Sequence, residues 1–168
     1  MELFDAIMSR TSAARLTAPG PGPDQLAAIV AAADRAPDHG RLRPWRVAVL
    51  DEAARERVAT AAVEARRARL PAPNDDQLRV EREKFTRSPI LIIVGCVVVR
   101  DHPKVPEIEQ ILAAGAAVQN MCLAAHALNF GAMWKTGPAA YDPGVKAAVG
   151  LGRDDHIVAI LHLGTREK

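Results

Sequence analysis

From Gln110 to Trp134 the chain runs for 25 residues without an Asp, Glu, Lys or Arg, although a quarter of the whole sequence is charged. A stretch like this either spans a bilayer or forms a helix enclosed by protein. Its polar members are Gln110, Gln119, Asn120, His126 and Asn129, and much of the remainder is Ala and Gly, which makes it a poor span. The expectation is a long central helix from about Pro106 to Phe130, stopped by Gly131. Ala113, Ala114, Gly115, Ala116 and Ala117 are small enough for another helix to approach closely.

The rest of the chain supplies elements to enclose that helix. Leu3, Phe4, Ile7 and Met8 share one face of a short first helix within Met1 to Arg10, and after the loop Pro19 to Pro23 a second helix opens at Asp24 and ends at Pro37. Trp45 to Leu50 reads as a strand, Asp51 caps a helix to about Leu70, and Asp75 to Thr86 is a further charged helix. Ile90 to Val99, apolar and rich in β-branched residues, reads as a strand covered on both faces. Ala132 to Thr136 is a short strand, Asp142 opens a short helix that ends near Gly150, and His156 to Leu163 is the last strand. The order ααβααβαβαβ, without repeat or linker, is that of one layered α/β or α+β domain over residues 1–168.

Composition narrows the classes. At 168 residues, folding buries roughly 70% of the unfolded surface, so no staple is needed. Cys96 and Cys122 have no CxxC partner and read as buried free thiols in a reducing compartment. Met1 to Arg10 lacks the apolar run of a signal peptide, so the expected location is cytoplasmic, with no membrane association. No GxGxxG, GxxxxGK[ST], HExxH or GxSxG occurs, and no His and Cys are spaced as zinc ligands. An enzyme built this way takes its chemistry from a bound organic cofactor.

Three segments stand out. Arg10-Thr11-Ser12, followed by Arg15, offers guanidinium and hydroxyl donors suited to a phosphate, or else an ordinary solvated helix end. Arg35 to Arg46 holds four Arg, one Asp and the two prolines Pro37 and Pro44, with Trp45 as a core residue and His39 as a surface or ligand-facing one. Phe130 to Gly137 is a glycine-bracketed strand with Trp134 and Lys135, where backbone can approach a flat ligand or simply edge the core.

Taken in order, these segments resemble the nitroreductase family of FMN-dependent oxidoreductases, in particular its small bacterial branch. The resemblance rests on Arg10-Thr11-Ser12, on Ala36-Pro37-Asp38-His39 to Pro44-Trp45, on Lys104-Val105-Pro106, and on Gly131-Ala132-Met133-Trp134-Lys135-Thr136-Gly137 with Leu163-Gly164-Thr165. It covers residues 2 to 165. It implies an α+β fold with a central mixed β-sheet flanked by helices, the long central helix lying in a homodimer interface.

The resemblance also implies a site. Arg10, Thr11 and Ser12 would hold the FMN phosphate, Arg35 and His39 would reach the flavin from the other subunit, and Trp134, Lys135 and Thr136 would lie beside it. Ala124 to Asn129 corresponds to a wall of the nicotinamide site. The implied activity is hydride transfer from NAD(P)H through FMN to a nitroaromatic or quinone-like acceptor, with no protein nucleophile, general base or metal; a reductive dehalogenase or an oxidative member of the fold is a variant of the same chemistry. Two departures matter. The chain stops at Lys168 where similar proteins continue into a tail that wraps the other subunit, and Thr11 stands where a second Arg is usual, with Arg15 or Arg166 as the compensating cation.

Two rivals come from other classes. A flavin-sequestering protein would use the same residues without turnover. A nucleic-acid-binding module is opposed by a net charge of only +2 and by the lack of aromatics among the basic residues.

Overall fold

The computed structural model describes residues 1–167, so Lys168, the last residue of the expected domain, lies outside them. The elements in chain order are α1 (Leu3–Ser9), β1 (Leu16–Thr17), α2 (Pro23–Ala31), β2 (Trp45–Val49), α3 (Glu52–Arg69), α4 (Asp75–Thr86), β3 (Ile90–Cys96), α5 (Glu107–Ala127), β4 (Gly131–Lys135), α6 (Pro143–Ala148) and β5 (His156–Arg166). The helices start where local chemistry predicts: Asp51 accepts from the Ala54 N–H, and Asn74 and Gln77 cap each other reciprocally.

The sheet runs β1-β5-β3-β2, and β4 also pairs with β5. Every pairing is antiparallel, which corrects the expectation of a mixed sheet. The reason lies in the connections. A single crossover helix returns a chain parallel to its starting strand. Between β2 and β3 the chain instead makes a packed pair, α3 and α4, so β3 enters at the end where β2 left. Two short segments depart from expectation as well: β1 is additional, and β3 ends at Cys96 because the Val99 N–H and C=O pair with the side chain of Gln110 instead of a strand.

β3 explains its continuous apolar run by serving two cores. Ile92, Val94 and Cys96 face α5, together with Ala159, Leu161 and Leu163 of β5. Leu91 and Ile93 face α3, Phe85 and α6 on the other side, together with Ile157 and Ile160. Each such side chain, fully buried, contributes about 1.5–3 kcal/mol. α5 buries Ala113, Ala114, Ala117, Val118, Met121, Cys122 and Ala125 against the sheet. Trp45 is buried in the same core.

α5 ends differently from expectation. Its stop is Asn129, at φ +67, with the Phe130 N–H donating to Ala125 O at 2.9 Å, while Gly131 already opens β4. Gly131 is needed for another reason: a Cβ there would lie 2.6 Å from Leu16 Cδ2, 2.8 Å from Arg166 Cγ and 2.9 Å from Ala13 Cβ. With the Ala13 N–H donating to Ala132 O, this close approach lashes the segment after α1 to β4.

Candidate active site

Three adjoining depressions form one groove along this seam. The first, lined by Ser12, Ala13, Arg15, Arg166 and Glu167, shares Ala13 and Arg15 with the second. The second shares Arg87 and His162 with the third, a cavity of about 530 Å³ between α4 and the segment Trp134 to Ala139. A volume of that order is within the range that takes a cofactor-sized ligand. The groove thus runs from Ser12 to the Trp134-Lys135-Thr136 strand end, so four of the eight residues singled out in the sequence line it, and Thr11 adjoins it through its bonds to Arg166.

The acids that line the groove, Glu81, Glu83 and Glu167, are paired with Arg66 and Lys84, with Arg79 and with Arg15 respectively, which leaves other cations of the groove without a counter-charge. Among the described residues, Arg10, Arg87 and Lys135 form no ion pair, and Lys135 is exposed. Partial burial and the neighbouring Arg87 and Lys84 push the Lys135 pKa down. Arg166 donates to Thr11 Oγ1 and to Thr11 O, each at 2.9 Å, so a cation does stand at the middle of the triplet. Arg15, the other candidate, points to solvent and pairs with Glu167 at 3.6 Å.

Beneath the Lys135 end lies His162 of β5, 3% exposed. Its Nδ1 is 2.9 Å from the Ser88 hydroxyl, and that hydroxyl donates to Ile90 O at 3.1 Å. With the hydroxyl proton committed, Nδ1–H must be the donor and Nε2 the acceptor toward the groove. Burial, then Arg87, Lys135 and Arg55, push its pKa down to about 4. Neither Arg87 nor His162 was recognisable in the sequence: each is ordinary in its own segment, and only the pairing of β5 with β3 and β4 joins them.

Trp134 lies at the groove edge, with its Nε1–H donating to Val158 O at 2.9 Å and its ring near Gly115 of α5. Arg35 and His39 are elsewhere. His39 Nδ1 is 2.6 Å from Glu109 in the first turn of α5, whereas His126, in its last turn, contacts the groove side through Arg166. The interval from Glu109 to His126 is about 25 Å of helix at 1.5 Å per residue. No single chain brings His39 to its own Thr11.

The stretch Ala124 to Asn129 is the C-terminal turn of α5, and Ala125 in it is buried. Cys96 and Cys122 are both buried and free, and burial pushes each thiol up to about 11. Helix α5 is the one helix among the described residues long and apolar enough to cross a membrane. No group of His, Cys, Asp and Glu suited to a metal ion occurs among the described residues.

The nitroreductase family profile matches residues 7–165. "Putative NAD(P)H nitroreductase YdjA" of Escherichia coli (strain K12) is 37% identical over 165 residues, covering 98% of this chain and 88% of that protein. A Haemophilus influenzae relative of the same description is 31% identical, over 98% of this chain and 89% of its own length. Among solved structures, a nitroreductase-like family protein from Bacillus cereus superposes with a TM-score of 0.84 at 25% identity, covering 100% of this chain and 87% of that one. The "putative nitroreductase in complex with fmn" from Desulfovibrio desulfuricans superposes at 0.72, also at 25% identity, covering 100% and 88%. On the profile match and the two bacterial relatives together, this chain belongs to the nitroreductase family.

Proposed function

We propose that the protein binds FMN in the groove and works as an FMN-dependent NAD(P)H oxidoreductase on nitroaromatic or quinone-like acceptors, as a cytoplasmic homodimer. The observation that carries this reading is that the acids lining the groove, Glu81, Glu83 and Glu167, are each engaged by other cations, while Arg166 at one end and Arg87 and Lys135 at the other carry no ion pair among the described residues. Such an arrangement suits an elongated anionic ligand with a phosphate at one end and a flat ring at the other. The relatives' names supply the cofactor and the reductant: one was solved in complex with FMN, and the other two are named for NAD(P)H.

The residues divide by role. Arg10, Thr11, Ser12 and Arg166 would hold the phosphate through charged and hydroxyl donors. Trp134, Lys135 and Thr136 would line the ring, with Lys135 a fixed cation where negative charge develops on reduction. FMN would supply the redox chemistry, accepting a hydride from NAD(P)H and delivering it to the acceptor. The chain's own residues bind and orient, and none needs to act as nucleophile or base.

The dimer follows from what one chain leaves uncovered. Leu3, Phe4, Ile7 and Met8 of α1 and Ile108 and Leu112 of α5 are exposed, with Phe4 at 79% and Leu112 at 63%. Large apolar side chains exposed near both ends of α5 suit an interface between copies of this chain. A second copy related by a two-fold axis lays the first turn of its α5 against the last turn of this one, which carries its Arg35 and His39 across the 25 Å that separates them from the triplet within one chain. The unpaired thiols of Cys96 and Cys122 fit a reducing compartment.

Anaerobic titration of the FMN-loaded protein with NADPH or NADH tests the activity. The expected result is bleaching of the flavin absorbance by at least one of them and its return on adding a nitroaromatic. Flavin that binds yet bleaches with neither nucleotide points to sequestration without turnover.

A further inference from the structure

His126 lies in the last turn of α5, in the charge-free run, and nothing above gives its imidazole a role of its own. Its ring is held from both sides. Nδ1 is 3.2 Å from Arg166 Nη2, and Nε2 is 2.8 Å from the Ser9 hydroxyl at the end of α1. Guanidinium has only donors, so Nδ1 must be the bare, accepting nitrogen. The ring proton is therefore on Nε2 and is donated to Ser9 Oγ, whose own proton goes to the Asp5 carbonyl one turn back in α1. Every proton in this chain of bonds has one place, which selects the neutral Nε2–H form of the imidazole. Burial and the two cations beside it, Arg166 and Arg10, act in the same direction.

The other contacts of Arg166 show what this chain of bonds holds in place. Its stem passes over Gly131, where even a Cβ would meet Arg166 Cγ at 2.8 Å. Its head spends one N–H on Thr11 Oγ1, one on Thr11 O and one on His126. Two of the five N–H groups of a guanidinium therefore remain for a ligand. Arg166 is thus fixed at stem and head, beside the triplet position where Thr11 brings no charge of its own.

We propose that His126 is a positioning residue for phosphate recognition: in its neutral Nε2–H form it aims the Arg166 guanidinium at the Arg10-Thr11-Ser12 segment, so that the site distinguishes a phosphorylated flavin from an unphosphorylated one. This rests on the FMN reading and adds to it a residue and a selectivity. His126 acts through Arg166 and need not touch the ligand. Ser9 keeps the imidazole from flipping to the tautomer that would present a donor to a donor.

The test compares FMN with riboflavin, the same ring system without the phosphate, by quenching of flavin fluorescence on the full-length protein. His126→Leu is expected to weaken FMN roughly tenfold, the scale of one hydrogen bond to a charged group, and to leave riboflavin unchanged. His126→Gln is expected to restore most of the affinity, because its amide oxygen can accept from Arg166 while its NH₂ donates to Ser9. Ser9→Ala, at an exposed position, probes the same chain if His126→Leu folds poorly, with an FMN-specific loss of about threefold. The proposal is overturned if both variants weaken FMN and riboflavin equally, if neither loses FMN affinity, or if the Gln variant is as weak as the Leu one. Arg10→Ala and Arg166→Ala separate the two claims. Should these lower FMN affinity alone while the His126 and Ser9 variants do not, positioning fails and the phosphate site stands; if none of them alters the FMN-to-riboflavin ratio, the phosphate site itself is wrong.

Discussion

The Ser88 hydroxyl sits 2.9 Å from Nδ1 of His162, a buried imidazole on which Arg87, Lys135 and Arg55 act as neighbouring positive charges. A buried imidazole in that setting is neutral in the folded protein, and its pKa of about 4 lies below the ordinary unfolded value of about 6.5. The neutral form is what folding favours, so the contribution of His162 is fully present above about pH 6.5 and is lost as the pH falls toward 4. The contribution is on the order of 3 kcal/mol. Urea unfolding of the wild type and His162→Gln at pH 7 and pH 4.5 checks it: the wild type should lose more stability than the variant over that interval, and equal losses would contradict the assignment.

Lys135 offers a second, redox-based test. A cation beside the ring favours the reduced, more negative flavin, so Lys135→Met should make the midpoint potential of bound FMN about 30–60 mV more negative, 30 mV corresponding to ~1.4 kcal/mol for two electrons. Spectroelectrochemical titration reads this directly. An unchanged potential would place the Lys135 charge away from the ring.

At Gly131 the packing leaves no room. Gly131→Ala forces Leu16, Ala13 or Arg166 to shift from contacts of 2.6 to 2.9 Å. Overpacking of this kind costs about 1–3 kcal/mol, visible in the denaturant midpoint. FMN affinity should fall with it, since the same contact lashes the triplet segment to β4. A variant as stable as the wild type would show that the seam is looser than described.

The dimer is testable at Leu112, 63% exposed on α5. Leu112→Glu introduces a charge into the proposed interface and should shift the sedimenting species from dimer to monomer while keeping the helical circular dichroism. Loss of FMN should accompany dissociation, because Arg35 and His39 then have no route to the groove. A wild-type protein that sediments as a monomer with FMN bound would contradict this part of the account.

Much of this molecule was legible in its sequence. Most of the charge-free run lies in α5, Trp45 is core, and the double-faced character of β3 follows from its apolar continuity. The polar outlier at the start of that run, Gln110, turns out to clamp the Val99 backbone and the Val105 carbonyl, a role that no periodicity reveals. Strand direction escaped because it depends on α3 and α4 packing as a pair, a tertiary fact. The triplet and the Trp134 strand end were recognisable by composition and order. His162, Arg87, Arg166 and His126 acquire meaning only through β5, which carries two of them and lies beside both ends of the groove.

The central claim, a phosphate-anchored FMN in the groove, is most directly tested by FMN stoichiometry and affinity in wild type and Arg10→Ala. The account predicts one FMN per chain in the wild type and a loss of about 1.5–3 kcal/mol of FMN binding in the variant, with riboflavin affinity retained. A protein that stays colourless with added FMN, or an Arg10→Ala variant that binds FMN as tightly as the wild type, would contradict it.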